Sequence, residues 1–423
     1  MFFKQCGVKI SIPIKPPIVP TNACFQQFTT QQGLKKLILV TISPTKFLLQ
    51  PKKILLIFNI NLNSLTSHNR NQVIFLHSMQ APKQIELPNF IEESEVYPMV
   101  DVRAPIEYKN GHIPGAINIP LFEDHERAEI GTIYKLRGKE DAVLRGLEIV
   151  SPKLADFVKS VKKLNDKGKV LVYCFRGGMR SNSFATLMNT AGVKAEVLKG
   201  GYKNYRKGSL QFYENKLQLI VLGGPTGSGK TEVLQELKKL NEQVIDLEGL
   251  AQHKGSAFGS IHQEDQPSQQ NFENNLFREF LKMDLGRPIW LENESFSIGS
   301  IKLPYPLWLQ MKQAPLLKLM IPFKARVQRL IREYGSADIQ VLKNTVLRIQ
   351  KRLGGLQTKQ TLEHLNNNEA EKVTEILLSY YDSAYQYDHQ TNECKHTIEI
   401  NSLADDPETN AGSVLEVAKN ITW

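Results

Sequence analysis

The chain has 423 residues, 41% of them hydrophobic, which is enough for two or three domains that each bury a core. Its formal charge of +10 suggests a basic protein, yet ten Lys and Arg and no acidic residue fall within Met1–Ile85, so the remainder carries 43 of each sign. The nominal charge therefore says little about a nucleic-acid footprint. Four cysteines without paired spacing, Cys6, Cys24, Cys174 and Cys394, exclude a disulfide scaffold or a metal finger and predict a reducing, cytoplasmic setting.

Residues 1–78 are interrupted by Pro13, Pro16, Pro17, Pro20, Pro44 and Pro51, and no helical apolar period emerges. The apolar runs 37–42 and 54–60 fall far short of the ~20 residues that span a bilayer, so no transmembrane helix is expected. Transit peptides are rich in Arg, and Arg70 is the only one here. Residues 1–84 therefore read as a disordered extension or mis-called upstream sequence, with Met79 the natural start.

After Pro88 strands and helices alternate: an apolar strand over 97–102, a helix over 154–164 and a second buried strand over 169–173. That order predicts a parallel sheet. The second strand runs straight into Cys174-Phe175-Arg176-Gly177-Gly178-Met179-Arg180-Ser181, and a helix over 181–191 follows with Phe184, Leu187 and Met188 on one side. Cys174 would thus lie in a strand-to-helix turn, where the amides around Gly177 and Gly178 and the positive helix end converge. Arg176 and Arg180 add fixed charge, and together these groups favour the nucleophilic thiolate. The spacing Cys-x5-Arg is also that of cysteine phosphatases, so spacing alone leaves chalcogen carrier and phosphatase both open.

A strand over 217–222 leads into Gly224-Pro225-Thr226-Gly227-Ser228-Gly229-Lys230-Thr231, and a helix over 231–240 carries Val233, Leu234, Leu237 and Leu240 on one face. Strand, glycine-rich loop and helix are the context of a P-loop. Gly224, Gly227 and Gly229 let the backbone wrap a diphosphate, Lys230 supplies charge, and Thr231 is a possible magnesium ligand. Asp246, Glu292 and Glu294 follow short strands and are candidate acidic partners, each of which an ordinary helix cap or strand-end carboxylate would equally explain. The motif does not decide whether ATP or GTP enters.

From Phe323 the pattern turns helical, with apolar positions at Val327, Leu330, Ile331 and Tyr334 and then from Ile339 to Leu353, closed by Gly354-Gly355. Lys343, Arg348, Lys351 and Arg352, with Arg326, Arg329 and Arg332 before them, could track RNA phosphates or form a solvated face. Tyr380, Tyr381 and Tyr385 could stack bases but more often such residues belong to a core. The expected organisation is α/β: a parallel-sheet domain over 85–212, a P-loop domain over 213–325 and a helical region over 326–423.

The first of these domains resembles the rhodanese family through Asp101-Val102-Arg103, Glu107-Tyr108, the run Gly111-His112-Ile113-Pro114-Gly115-Ala116-Ile117-Asn118-Ile119-Pro120, the Cys174 loop and Gly200-Gly201-Tyr202. This resemblance implies that Cys174 carries sulfur or selenium and that His112 belongs to a structural turn. With the segments Asp246 to Ala251, His253 to Gly259, Gln266 to Glu273, Glu292 to Ser295 and Ile298-Gly299, the whole from Ile85 onward is similar to the tRNA 2-selenouridine synthase family. The resemblance implies conversion of wobble 2-thiouridine in tRNA to 2-selenouridine: geranyl diphosphate alkylates the sulfur, then selenium from selenophosphate replaces the geranylthio group. By it Lys230 and its loop grip geranyl diphosphate, Cys174 is the S-selanylcysteine carrier, and no cofactor is tightly bound. The rivals are a phosphatase fused to a P-loop kinase and a nucleotide-gated tRNA-binding protein. Phe296-Ser297 departs from the family, which continues with basic residues there. Oligomeric state is not legible.

Overall fold

The structure, a computed structural model, describes residues 81–164, 167–391, 397–403 and 405–421. The expectations for residues 1–80, with Cys6, Cys24 and Met79, and for Cys394 lie outside the described residues, as does the side chain of Tyr385.

In the first half, β1 (Lys83–Ile85), α1 (Leu87–Ser94), β2 (Met99–Asp101), α2 (Pro105–Asn110) and β3 (Ile117–Asn118) lead into α3 (Asp124–Leu136), α4 (Lys139–Val150) and α5 (Leu154–Leu164). Then come β4 (Lys169–Tyr173), α6 (Met179–Thr190), β5 (Lys194–Leu198) and α7 (Gly201–Gln211). The strands form one parallel sheet in the order β1-β5-β4-β2-β3. Central β4 is buried at every position, which is why it reads as a continuous run instead of an alternation. Its charged residue, Lys169, is paired with Glu93 and Glu196. Val170 and Val172 pack with Phe184 and Met188 on one face, while Leu171 and Tyr173 pack with Phe90, Tyr202 and Tyr205 on the other.

The second half runs through β6 (Leu219–Gly223), α8 (Lys230–Lys239), β7 (Gln243–Ile245), α9 (Leu247–Ala251), α10 (Gln269–Leu281) and β8 (Ile289–Glu292). The hairpin β9 (Ser297–Ile298) and β10 (Ile301–Lys302), then α11 (Tyr305–Gln313) and β11 (Leu316–Met320), follow it. Four helices come next: α12 (Phe323–Tyr334), α13 (Ile339–Leu353), α14 (Gly355–Asn366) and α15 (Ala370–Thr391). The chain ends in β12 (Thr397–Asn401) and α16 (Pro407–Ala418). The second parallel sheet has the order β12-β11-β6-β8-β7, which puts β6 and the P-loop at its centre. The C-terminal part is helical as expected, but it also returns a strand to this sheet. Of that strand only Ile400 is buried, so the edge position left no apolar pattern to read.

The halves share core. Phe277 of α10 packs into the cluster around Tyr173 and Tyr205 of the first half. Phe258 and Ile261, from the segment after α9, pack in turn among Val346, Ile349, Leu353 and Leu365 of the helical part. Among the described residues no helix is long and apolar enough to cross a membrane.

Candidate active site

β4 delivers Cys174 directly into the turn before α6, and Gly177 and Gly178 complete that turn, Gly178 as the helix N-cap. The Cys174 sulfur lies 3.2 Å from the Ser181 hydroxyl, which also donates to the Gly178 carbonyl at 3.2 Å. The loop rests on the start of α7, where the Tyr202 amide donates to the Cys174 carbonyl and the Lys203 amide to the Phe175 carbonyl, both at 2.9 Å. Gly201 makes that approach possible. At its φ of +61° a Cβ would stand 2.3 Å from the Cys174 carbonyl oxygen and 2.4 Å from the Gly177 nitrogen.

The two predicted arginines separate. Arg180 turns to Glu107 of α2, with contacts of 2.7 and 3.3 Å, and Arg127 approaches the same carboxylate at 3.8 Å. Burial pushes the Glu107 carboxyl up, but the Arg180 hydrogen bond and charge, with the Ala104 amide, outweigh it and hold it below its ordinary value. Arg176 is exposed, its guanidinium 5.8 Å from the Phe175 ring centroid. Cys174 itself is 3% exposed, and it lines neither of the two cavities flanking the P-loop half. Phe175, Arg176 and Met179 of the same loop are exposed.

The remaining residues of the rhodanese-type pattern form its frame. Asp101 and Arg103 make a buried ion pair, Arg103 also donates to the Gly111 carbonyl at 2.7 Å, and its guanidinium lies 4.0 Å from the Tyr202 ring centroid. His112 stacks on Tyr108 with centroids 3.8 Å apart and its Nδ1 is 3.0 Å from the Tyr108 carbonyl. It sits in a joint, not in a site. The His112 amide donates to Asn271 at 3.1 Å and its carbonyl accepts from Asn274 at 2.7 Å, both on α10 of the second half. Ser268 and Asn271 bond the Asn110 and Lys109 carbonyls, Gln270 meets Tyr202, and Arg206 is bound by Asn274 and Glu273. The polar segment Gln266 to Glu273 is thus the bolt between the halves, a role its sequence did not disclose.

On the other side of that bolt, Gly224, Gly227, Gly229, Lys230 and Thr231 line a cavity of about 710 Å³. The Lys230 ammonium is 3.4 Å from the Gly224 carbonyl, and the Thr231 hydroxyl is 3.4 Å from a Glu248 oxygen. Glu294 lines the cavity with Glu248, whereas Asp246 caps α9 by accepting from the Gly249 amide at 2.6 Å. Glu292 is fully buried beneath, accepting from the Leu247 amide at 2.9 Å with its other oxygen unpartnered. Burial pushes its carboxyl well up. Burial and the Glu248 charge push Glu294 up to about 8, and burial raises Glu248 as well, against the pull of Lys230. Glu248 belongs to the same acidic stretch as Asp246, and it is Glu248, not the Asp246 singled out from the sequence, that lines the cavity. Among the described residues no three His, Cys, Asp or Glu side chains are placed to hold a metal ion, so a magnesium ion at Thr231 would need the ligand's own phosphate oxygens.

Two of the three arginines of α12 do not face outward. Arg326 and Arg329 are buried: Arg326 donates to the Thr226 carbonyl of the P-loop at 3.1 Å and pairs with Asp382, while Arg329 pairs with Asp405 and with Glu232 at 2.5 Å and lies against Gly229. This corrects the expectation of a phosphate-tracking face for these two, because their carboxylate partners stand far away in sequence. Arg332 also pairs with Asp405, whereas Arg348, Lys351 and Arg352 are exposed and Lys343 half-buried. Tyr380 and Tyr381 pack against the helical core, and Tyr381 lines the cavity.

A parallel sheet ending on a cysteine loop, bolted to a second one ending on a phosphate loop, defines a rhodanese and P-loop fusion. Residues 84–208 match the rhodanese-like domain family, and residues 217–404 match the family described as the tRNA 2-selenouridine synthase AAA domain. The tRNA 2-selenouridine synthase of Bdellovibrio bacteriovorus is 34% identical over 356 residues, covering 73% of this chain and 92% of that protein. That of Shewanella frigidimarina is 35% identical over 326 residues, covering 69% and 88%. The chain belongs to the tRNA 2-selenouridine synthase family.

Proposed function

We propose that the chain converts 2-thiouridine at the tRNA wobble position to 2-selenouridine through an S-geranyl intermediate, using geranyl diphosphate and then selenophosphate in the cytoplasm. One observation carries the first step. The cavity that begins at the P-loop continues between Phe258, Leu330, Tyr334, Leu342, Val373 and Leu377, so a phosphate-binding end opens into an apolar end. A diphosphate ester of a branched hydrocarbon matches both.

In that step the uridine sulfur bonds to the allylic carbon, the carbon–oxygen bond breaks, and diphosphate leaves. The P-loop amides and Lys230 take up the negative charge that develops on the leaving group, with Thr231 in place for a magnesium ion. Apolar walls keep water from the allylic centre. Alkylated sulfur is the better leaving group, so the selenium of selenophosphate can then bond to the same ring carbon as the geranylthiol departs, and water cleaves the selenium–phosphorus bond to release phosphate and leave 2-selenouridine. The Cys174 loop takes the selenium step, and Arg176, exposed on that loop and in no ion pair among the described residues, meets an incoming anion.

The test is mass spectrometry of tRNA nucleosides after incubation with geranyl diphosphate and selenophosphate. Lys230→Ala should lose the geranylated nucleoside, and Cys174→Ser should accumulate it without selenouridine. Selenouridine formed by Cys174→Ser would refute a role for Cys174 in the selenium step, and turnover of an aryl phosphate that depends on Cys174 would favour a phosphatase.

A further inference from the structure

A second cavity, of about 570 Å³, opens where the two halves meet. Lys207 and Leu210 of α7 form one wall, Gln269 and Lys302 another, and Phe296 and Tyr305 the floor. Tyr305 is 58% exposed yet held firmly: its ring stacks on Trp308 with centroids 6.0 Å apart at 28°, and Phe296 stands edge-on to both. More than half of Tyr305 is left in water. Beside it the ammonium groups of Lys207 and Lys302 are exposed and in no ion pair among the described residues, while Gln269 fixes the Lys302 main chain with bonds of 2.8 and 2.7 Å. Two acids also line the cavity, Glu273, which is bound to Arg206, and Glu214.

We infer that this junction binds an unstacked nucleotide of the RNA substrate, its base on the Tyr305 ring and its phosphate on Lys302 and Lys207. A rigid ring flanked by unpaired ammonium groups is how single-stranded nucleic acid is held, since every base has a stackable face and every link a charge. The site also lies where such a nucleotide is needed: Glu294 lines the phosphate cavity, and Phe296, two residues on, lines this one. This inference rests on the tRNA reading above.

The experiment measures binding of the full chain to tRNA carrying wobble 2-thiouridine, by fluorescence anisotropy at several salt concentrations. Tyr305→Ala should weaken binding roughly five- to a hundredfold, the span of one lost base–ring stack, and Tyr305→Phe should restore it to within about twofold. Lys302→Ala should reduce the salt slope by about one. Geranyl diphosphate should bind all three variants as it binds wild type. Tyr305→Ala that holds tRNA as tightly as wild type overturns the platform alone. A wild-type chain with no tRNA affinity overturns the function as well.

Discussion

Gly201→Ala presses on Cys174 without touching it chemically. The new Cβ would stand 2.3 Å from the Cys174 carbonyl oxygen, whereas ordinary contact begins at 3.4 Å, so the loop must retreat by about 1.1 Å. A shift of that size breaks the bonds from the Tyr202 and Lys203 amides and misplaces the sulfur. Misplacement of about 1 Å at a reacting atom costs on the order of 10²-fold in rate. The left-handed backbone adds about 1–2 kcal/mol and the overpacking about 1–3 kcal/mol, within the ~5–15 kcal/mol that a folded protein holds. Gly192→Ala is the control: it has φ +81° and nothing within 4 Å of its Cβ, so it carries the backbone cost alone. Nucleoside mass spectrometry under single turnover should show Gly201→Ala making geranylated nucleoside while selenouridine falls about a hundredfold. Gly192→Ala should make both. A folded Gly201→Ala protein that forms selenouridine at the wild-type rate refutes the reasoning.

Three further outcomes are expected. Asn274→Ala removes bonds to His112, Tyr202 and Arg206 across the joint, and at about 1 kcal/mol for each neutral bond and ~1.5–3 for the charged one it should cost about 3–5 kcal/mol in urea unfolding; a loss below ~1 kcal/mol would contradict the bolt. Val373→Trp fills the apolar end of the phosphate cavity, so calorimetry should show geranyl diphosphate binding at least ~10-fold more weakly while inorganic diphosphate binds unchanged; equal weakening of both would assign the tail elsewhere. Glu294, raised from 4.5 to about 8, keeps a proton in the folded chain that the unfolded chain has already released. Stability from this group is therefore full below about 4.5 and declines as pH rises toward 8, so the melting temperature should fall across that window less steeply in Glu294→Gln than in wild type. A steeper fall in the variant would reverse the sign.

What could be read beforehand was what is local. The cysteine turn and the P-loop each lie within eight residues between a buried strand and a helix, so spacing alone placed Cys174 at a strand end and Lys230 where a helix begins. Arg326 and Arg329 could not be read that way, because polarity on a helix looks the same whether it faces water or a carboxylate brought from Asp382 or Asp405. Asn271 and Asn274 looked like ordinary helix polarity for the same reason: their partners, His112 and Lys109, lie about 160 positions earlier. The depth of Cys174 was also hidden, since the loop residues that cover it are the very ones that mark it.

The strand β12 lies on the outer edge of β11, and α16 packs against α8, the helix that opens from the P-loop. A ribosome therefore releases the phosphate loop long before the segment that finishes its sheet. Until then β11 offers bare amides and carbonyls along its free side, and Arg329 waits for Asp405. A stop codon just ahead of Thr397 should thus yield aggregates rather than a weakened enzyme, which makes the last described strand the guard of a phosphate loop made long before it.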